Sequence, residues 1–285
     1  MADQAPHRAL TAVSLVAAAD APAYAPRMKV VILCGGQGAR MREETEFRPK
    51  PMVRVGARPI LWHIMKIFAH HGLSDFVMCL GYRGDQIKEY FLNYEAMNSD
   101  FTVALGRRHE ITYHGAHDEQ DFRITCADTG PDSMTGGRVR RIKPFVDGET
   151  FVVTYGDGVA DIDVKALLAF HRSHGKLATV TTVRPVSRYG LVALDGDNVR
   201  RFAEKPDIEG WASAGFFVFE PGVFDYLDGG DACVLEQEPM ARLAADGQLM
   251  AYRHEGFFFA MDTYREVAEI NRIWASGDAP WKLWD

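Results

Sequence analysis

A three-layer α/β domain built on a mostly parallel sheet is the fold class the sequence predicts, and three observations predict it. Short uninterrupted apolar runs, Lys29–Leu33 (KVVIL) and Phe76–Leu80, have the composition of strands buried on both faces. A segment of helical periodicity stands between them. The same alternation returns at Thr150–Tyr155 (strand), Val164–His174 (helix) and Leu177–Val183 (strand), as parallel βαβ units require.

The first 27 residues are rich in Ala with several Pro. Asp3 and Asp20 do not suit a signal peptide, so this stretch reads as a disordered extension or as residues upstream of a natural start at Met28. One domain is expected over residues 28–285. The strand Lys29–Leu33 runs into Cys34-Gly-Gly-Gln-Gly-Ala-Arg40. A helix is expected over Pro59–His71, with Ile60, Leu61, Ile64, Ile67 and Phe68 on one face, Pro59 in its first turn and Gly72 at its C-cap. Phe76–Leu80 follows, then a helix over Asp85–Tyr94. Residues 101–127 hold short alternating segments such as Ile111–Tyr113 and Phe122–Cys126. Beyond the second block, Leu191–Leu194 and Val199–Phe202 flank Gly196-Asp-Asn198 and read as a hairpin. Ala214–Phe219 reads as a strand. Helices around Glu238–Ala245 and Tyr264–Ala275 close the chain.

Composition excludes several classes. Of 285 residues 47% are hydrophobic and 25% charged, ordinary for a globular chain. The net charge of −7 argues against non-specific nucleic-acid binding, which needs Lys and Arg on phosphates. No apolar run approaches the ~20 residues of a membrane span. Cys34, Cys79, Cys126 and Cys233 are scattered and form no C-x-x-C pair, so they read as reduced core residues of a cytoplasmic protein. His109, His114 and His117 read as a solvated loop rather than a metal cluster. The aromatic stretches Phe257–Phe259 and Trp281–Trp284 read as core or subunit contact.

Chemistry enters at the turn after the first strand. Glycines let a polyanion approach the backbone, and successive N–H groups make an anion-binding concavity. Arg40 adds a planar fork for phosphate oxygens. Ten residues on, Arg48-Pro-Lys-Pro51 is expected to be extended, with Arg48 and Lys50 on one side. The turn matches neither a dinucleotide fingerprint, since Met41 stands at the third glycine position, nor a Walker loop, since G-K-[ST] is missing. Taken alone it is equally a tight structural turn. Asp157, in Tyr155-Gly-Asp-Gly158, lies where open α/β sheets place their sites, and Met261-Asp-Thr263 offers a second carboxylate. Mg²⁺ takes one or two carboxylates plus substrate phosphate. Each Asp read singly is also a turn residue or a helix N-cap. Glu204-Lys205-Pro206 adds a strand-end pair suited to a phosphorylated sugar, or to a plain surface ion pair.

The ordered set G-G-x-G-x-R, K-P, Y-G-D-G, E-K-P and M-D-T resembles the sugar-1-phosphate nucleotidyltransferases. PMVRVGARPILWHIMKIFAHHG, FVMCLGYRGDQIKEYF, DTGPDSMTGGRVRR, FVVTYGDGVADIDVKALLAFHRSHGK and APWKLWD are similar to the branch of that family acting on CTP and glucose 1-phosphate. D-T-G-x-x-S-M-T-G-G-R and the segment Leu235–Pro239 are particular to that branch. The resemblance covers nearly all of residues 28–285. It implies a Rossmann-like fold of the nucleotide-diphospho-sugar transferase type with a small β-rich sugar-binding part. It implies a Mg²⁺-assisted transfer forming CDP-glucose and pyrophosphate. Gly35, Gly36, Gly38, Arg40 and Lys50 would hold the triphosphate, with Gly156 beside it. Ser133, Thr135, Gly136 and Arg138 would line the cytidine pocket. Asp157 and Asp262 would bind the metal, and Gly190, Glu204, Lys205 and Gly215 the sugar phosphate, with Arg40, Lys50 and Asp157 central to catalysis. It also implies a homo-oligomer, a hexamer being one such assembly, that engages neither nucleic acid nor membrane.

Five positions depart from the family pattern: Ala39 for Thr, Arg48 for Lys, Leu235 for Trp, and the first two of Ser213-Ala-Gly215 for Asn-Gly-Gly. Ala214 is expected to narrow the sugar pocket. Thymidylyl, uridylyl or guanylyl transfer to another sugar 1-phosphate stays open, as does a non-catalytic sugar-nucleotide sensor on the same fold.

Overall fold

The computed structural model describes residues 27–38, 41, 45–106, 110–146, 148–185, 191–195, 197–203 and 210–284, with the backbone alone at 191–195 and 201–203. In it β1 (Lys29–Leu33) is paired in parallel with β2 (Asp75–Leu80) on one side, and β2 in turn with β3 (Arg123–Asp128). On its other side β1 pairs in parallel with β4 (Phe151–Tyr155). The continuous apolar run of β1 follows from burial on both faces. Val30 and Ile32 join Phe76 and Met78 in one core, while Val31 and Leu33 join Val77 and Cys79 in the other.

Helices cover these faces. Over the first core lie α1 (Ile60–His70), α4 (Val164–His174) and α6 (Tyr264–Ala275). Over the second lie α3 (Thr135–Arg141) and α5 (Glu238–Ala245). Asp163 caps α4 by accepting from Ala166 N, and Gly175 ends it at φ 63°. The helix α2 (Gly84–Leu92) packs near β3. β5 (Gly158–Ala160) leaves the main sheet. β6 (Ala178–Val183) carries the sheet outward, and β7 (Leu191–Asp195) with β8 (Asn198–Ala203) forms the expected hairpin.

Several expectations are corrected. The sheet is mostly parallel as expected, with four parallel strand pairings among the described residues, and three antiparallel pairings make it mixed. Ala214–Phe219 is not one strand but β9 (Ala212–Ser213) and β10 (Phe217–Phe219), broken by left-handed Gly215 and Phe216 at φ 75° and 48°. β10 enters antiparallel between β4 and β6. At the outer edge β11 (Leu249–Arg253) pairs β6 in parallel. Phe122–Cys126 belongs to β3, an edge strand whose partly exposed face gives the alternation. Pro59 precedes α1 rather than opening it. Lys50–Met52 is a single 3₁₀ turn, not extended chain, with Met52 N donating to Pro49 O at 2.8 Å. All four cysteines are free thiols. No helix among the described residues is long and apolar enough to cross a membrane.

The tryptophan tail seals the first core. Trp281 is fully buried, and its Nε1–H donates to His63 Nδ1 at 3.4 Å. His63 therefore donates from Nε2 to Val55 O at 2.9 Å. Burial pushes its pKa down to about 4. Between the ordinary histidine value and that value the unfolded chain takes up a proton the folded chain refuses, so stability falls as pH falls. Roughly 3 kcal/mol is expected to be lost from this group between pH 7 and pH 4. Urea unfolding of His63→Leu should show a correspondingly flatter acid limb than the wild type, whatever its stability at pH 7.

Candidate active site

Register decides what meets at the carboxyl ends of the central strands. Leu33 of β1 lies opposite Tyr155 of β4, so the turns after both strands emerge side by side. Gly156 N donates back to Leu33 O at 3.1 Å. A Cβ at Gly156 would lie 2.7 Å from Pro51 Cγ and 3.0 Å from Leu33 O. Only glycine admits Pro51 this close, and Pro51 brings Lys50 over the strand ends.

Lys50 Nζ lies 2.5 Å from Asp157 Oδ2 and 2.7 Å from Asp262 Oδ1. A two-stranded ribbon brings those distant carboxylates together. β5 pairs antiparallel with β12 (Phe258–Ala260), with Gly158 opposite Ala260, and Met261 N donates to Asp157 O at 2.9 Å. The N-cap role left open for Asp262 belongs to Thr263. Its Oγ1 accepts from Glu266 N, while Glu266 Oε2 accepts from the N–H groups of Thr263 and Asp262. The Asp262 carboxylate is thereby left for the cleft. Burial disfavours the Lys50 charge, yet Asp157 and Asp262 outweigh it and hold the ammonium above the ordinary lysine range.

The cluster sits in a cleft of about 450 Å³. Gly35, Gly36 and Gly38 line it from the glycine turn, Gly38 at φ 61°. Ser133, Thr135 and Arg138 line it from the start of α3, and Tyr155, Gly156, Asp157 and Asp262 from the strand ends. Arg138 is buried with its guanidinium turned to the chain. It donates to Leu80 O, Thr129 Oγ1, Gly130 O and Gly35 O at 2.7–3.0 Å, which pins the glycine turn to the end of β2. Ser133 Oγ donates to Asp231 Oδ1, which Arg141 also grips. Gly136 is packed on Cys233, and Gly215 against the Tyr155 ring. Ala214 is buried, its N–H on Thr181 O. Arg40, Gly190, Glu204 and Lys205, and the departure Ala39, lie outside the described residues.

Two cleft residues were not foreseen. Tyr155 was read only as part of the Asp157 motif. Glu236, in the branch-specific segment, had no role. It accepts from both Thr135 Oγ1 and Tyr155 Oη.

Among the described residues no three His, Cys, Asp or Glu side chains gather as a metal site. His117 instead pairs with Glu95 at 2.7 Å. Asp157 and Asp262 already hold one cation between them, and two hard carboxylates open to a phosphate-sized cleft fit Mg²⁺. A larger hollow of about 790 Å³ lies at the β3 edge between α1 and α2. It has no glycine turn and no strand-end pair of aspartates, and its carboxylates Glu119 and Glu95 lie with Lys66 and His117.

The family model described as nucleotidyl transferase matches residues 29–244. The chain is 47% identical over 260 residues to glucose-1-phosphate cytidylyltransferase of Salmonella typhi, covering 90% of this chain and 100% of that one. It is 30% identical over 237 residues to the mannose-1-phosphate guanylyltransferase catalytic subunit beta of Dictyostelium discoideum, covering 81% of this chain and 60% of that one. A UDP-glucose pyrophosphorylase solved with UDP-glucose superposes with a TM-score of 0.65 at 15% identity, covering 88% and 99% of the two chains. That likeness shows the fold: a central mixed sheet with flanking helices, as in nucleotide-diphospho-sugar transferases.

Gly156→Ala should test the geometry directly. Its methyl must displace Pro51 or the Leu33 carbonyl, costing about 1–3 kcal/mol of stability by thermal unfolding. It should also abolish any melting shift produced by a nucleoside triphosphate.

Proposed function

This chain belongs to the nucleotidyl transferase family, and from that premise we propose that it joins CTP to α-D-glucose 1-phosphate, forming CDP-glucose and pyrophosphate. The observation that carries the reading is Lys50 clamped between Asp157 and Asp262 beside the glycine turn. Identity to the Salmonella typhi cytidylyltransferase along its whole length supports the base and sugar over the guanylyl alternative. A sensor without catalysis would have no need of that three-residue charge cluster.

A phosphate oxygen of the sugar attacks the α-phosphorus in line. The new O–Pα bond forms as the bond to the β-phosphate oxygen breaks, and pyrophosphate departs. The nucleophile arrives ionised, so no side chain has to remove a proton, and catalysis rests on positioning and charge. Two anions must meet: at ~4 Å and an effective dielectric of ~20 each unit pair repels by ~4 kcal/mol. The amides of Gly35, Gly36 and Gly38 hold the triphosphate, with Lys50 and Arg40 neutralising it. Asp157 and Asp262 would hold Mg²⁺, which would supply further positive charge to the phosphate oxygens. Ser133, Thr135, Gly136 and Arg138 form the nucleoside side, Arg138 by fixing the turn. Gly190, Glu204, Lys205 and Gly215 form the sugar-phosphate side.

The chain is also proposed to self-associate. The ribbon Asp100–Val103 with Ile111–His114 is exposed throughout, including Phe101 and Tyr113. An isolated two-stranded ribbon with an apolar surface gains stability when another surface covers it.

A pyrophosphate-release assay crossing CTP, UTP, dTTP, GTP and ATP with several sugar 1-phosphates should give the highest kcat/KM for CTP with glucose 1-phosphate; another preferred pair would replace this assignment. Asp157→Asn should retain its fold by circular dichroism and lose roughly 10²–10³ in kcat. Turnover near wild type in Mg²⁺ would remove Asp157 from the metal role. Lys205→Ala should raise KM for the sugar phosphate far more than that for CTP, and the opposite pattern would mean the two pockets are exchanged.

A further inference from the structure

The segment Leu235–Pro239 sets this branch apart in sequence, and the cleft gives it a task. Leu235 is fully buried in the second core and Pro239 is buried at the start of α5. Both fix the backbone around Glu236, which is itself at the surface. Its side chain ends on two hydroxyls that line the cleft, one from the start of α3 and one from the end of β4. Thr135 Oγ1 donates to Oε2 at 2.6 Å, and Tyr155 Oη donates to Oε1 at 2.5 Å. The directions are set: Leu235 N–H occupies Thr135 Oγ1 as acceptor at 2.9 Å, so the Thr135 proton points to Glu236. The Glu236 carboxylate has only acceptors to offer, so the Tyr155 hydroxyl donates. The bridge continues through the ring. A Cβ at Gly215 would lie 2.7 Å from Tyr155 Cδ2, Gly215 has φ 75°, and the Phe217 ring meets Tyr155 edge-on at 6.0 Å.

We infer that Glu236 is a positioning residue that couples the two walls of the cleft, holding Thr135 on the nucleoside side and Tyr155 against Gly215 on the sugar side. The inference rests on the substrate assignment proposed above. Tyr155 stands two residues before Asp157, so a ring that wandered would move the sugar wall and the carboxylate together. Two charge-assisted hydrogen bonds to one exposed carboxylate hold it in place.

Steady-state kinetics of Glu236→Ala, Tyr155→Phe and the double variant test this. Tyr155→Phe keeps the ring and removes only the donor. Tyr155→Phe should raise KM for glucose 1-phosphate by about tenfold with KM for CTP within about threefold of wild type, and Glu236→Ala, which also releases Thr135, should raise both KM values by about tenfold. For glucose 1-phosphate the double variant should be no worse than Glu236→Ala, which already deletes the Tyr155 bond. Glu236→Gln, which keeps one acceptor for Tyr155, should recover most of the loss. A double variant whose KM rises by roughly the product, about a hundredfold, would overturn the coupling, as would a wild-type KM in Tyr155→Phe. Thermal midpoints of the same four proteins without substrate read the bridge independently of chemistry: additive shifts would overturn it. If the wild type prefers another substrate pair, the substrate assignment fails, and the same cycle run on that pair decides the bridge separately.

Discussion

A buried ammonium between two carboxylates is the constraint to which the rest of the site is fitted. Lys50, Asp157 and Asp262 come from three remote parts of the chain, and none would hold its position alone. Taking the Lys50 charge out of water is unfavourable, and a lone buried lysine would lose its proton. Two anionic oxygens within 2.7 Å keep it charged. Conversely, Asp157 and Asp262 would repel each other if no cation lay between them. The cluster is therefore self-consistent only as a whole. It requires the β1–β4 register, the β5–β12 ribbon and the close approach of Pro51 to Gly156 to be satisfied together.

Much of this was legible in the sequence because the physics is local. The doubly buried strands show as apolar runs, α1 shows as a periodic segment between Pro59 and Gly72, and Asp157 shows as an acid between glycines after a strand. What escaped was set by partners far away in the chain. The Phe122–Cys126 alternation hid an edge strand of the main sheet, because its exposure depends on which strand it pairs. The break at Gly215 and Phe216 was invisible because a single glycine in an apolar run does not announce that its neighbour also turns left-handed. Arg138 could be placed near the nucleoside by resemblance, yet that it faces main-chain carbonyls is decided by β2 and the glycine turn. Glu236 carried no local chemical signature at all.

Arg138 illustrates how a cationic residue beside an anion site can act without touching an anion. Its donors are taken by oxygens of residues 35, 80, 129 and 130. Those oxygens lie at three different strand ends, of β1, β2 and β3, and would otherwise be buried with poor partners. The glycine turn can then be free of side chains and still be rigid. Flexible glycines give access to the backbone, and the arginine restores the order that glycine forfeits.

The C-terminal helix ties these pieces into one mechanical unit. Asp262 sits just before the N-cap of α6. About two turns into the helix, Asn271 accepts from Gly56 N and donates to Arg54 O, at 2.9 and 3.1 Å. Arg54 and Gly56 follow directly on the turn that carries Lys50. The same helix thus presents one carboxylate to the ammonium and grips the backbone that delivers the ammonium. Trp274 on α6 fills the space beside Gly56 and stacks on Trp281, which is sealed by His63 of α1. The aromatic tail consequently bears on the chemistry at a distance. It sets how far α6 stands from α1, and through Asn271 and Asp262 that spacing becomes the distance between Lys50 and its carboxylates.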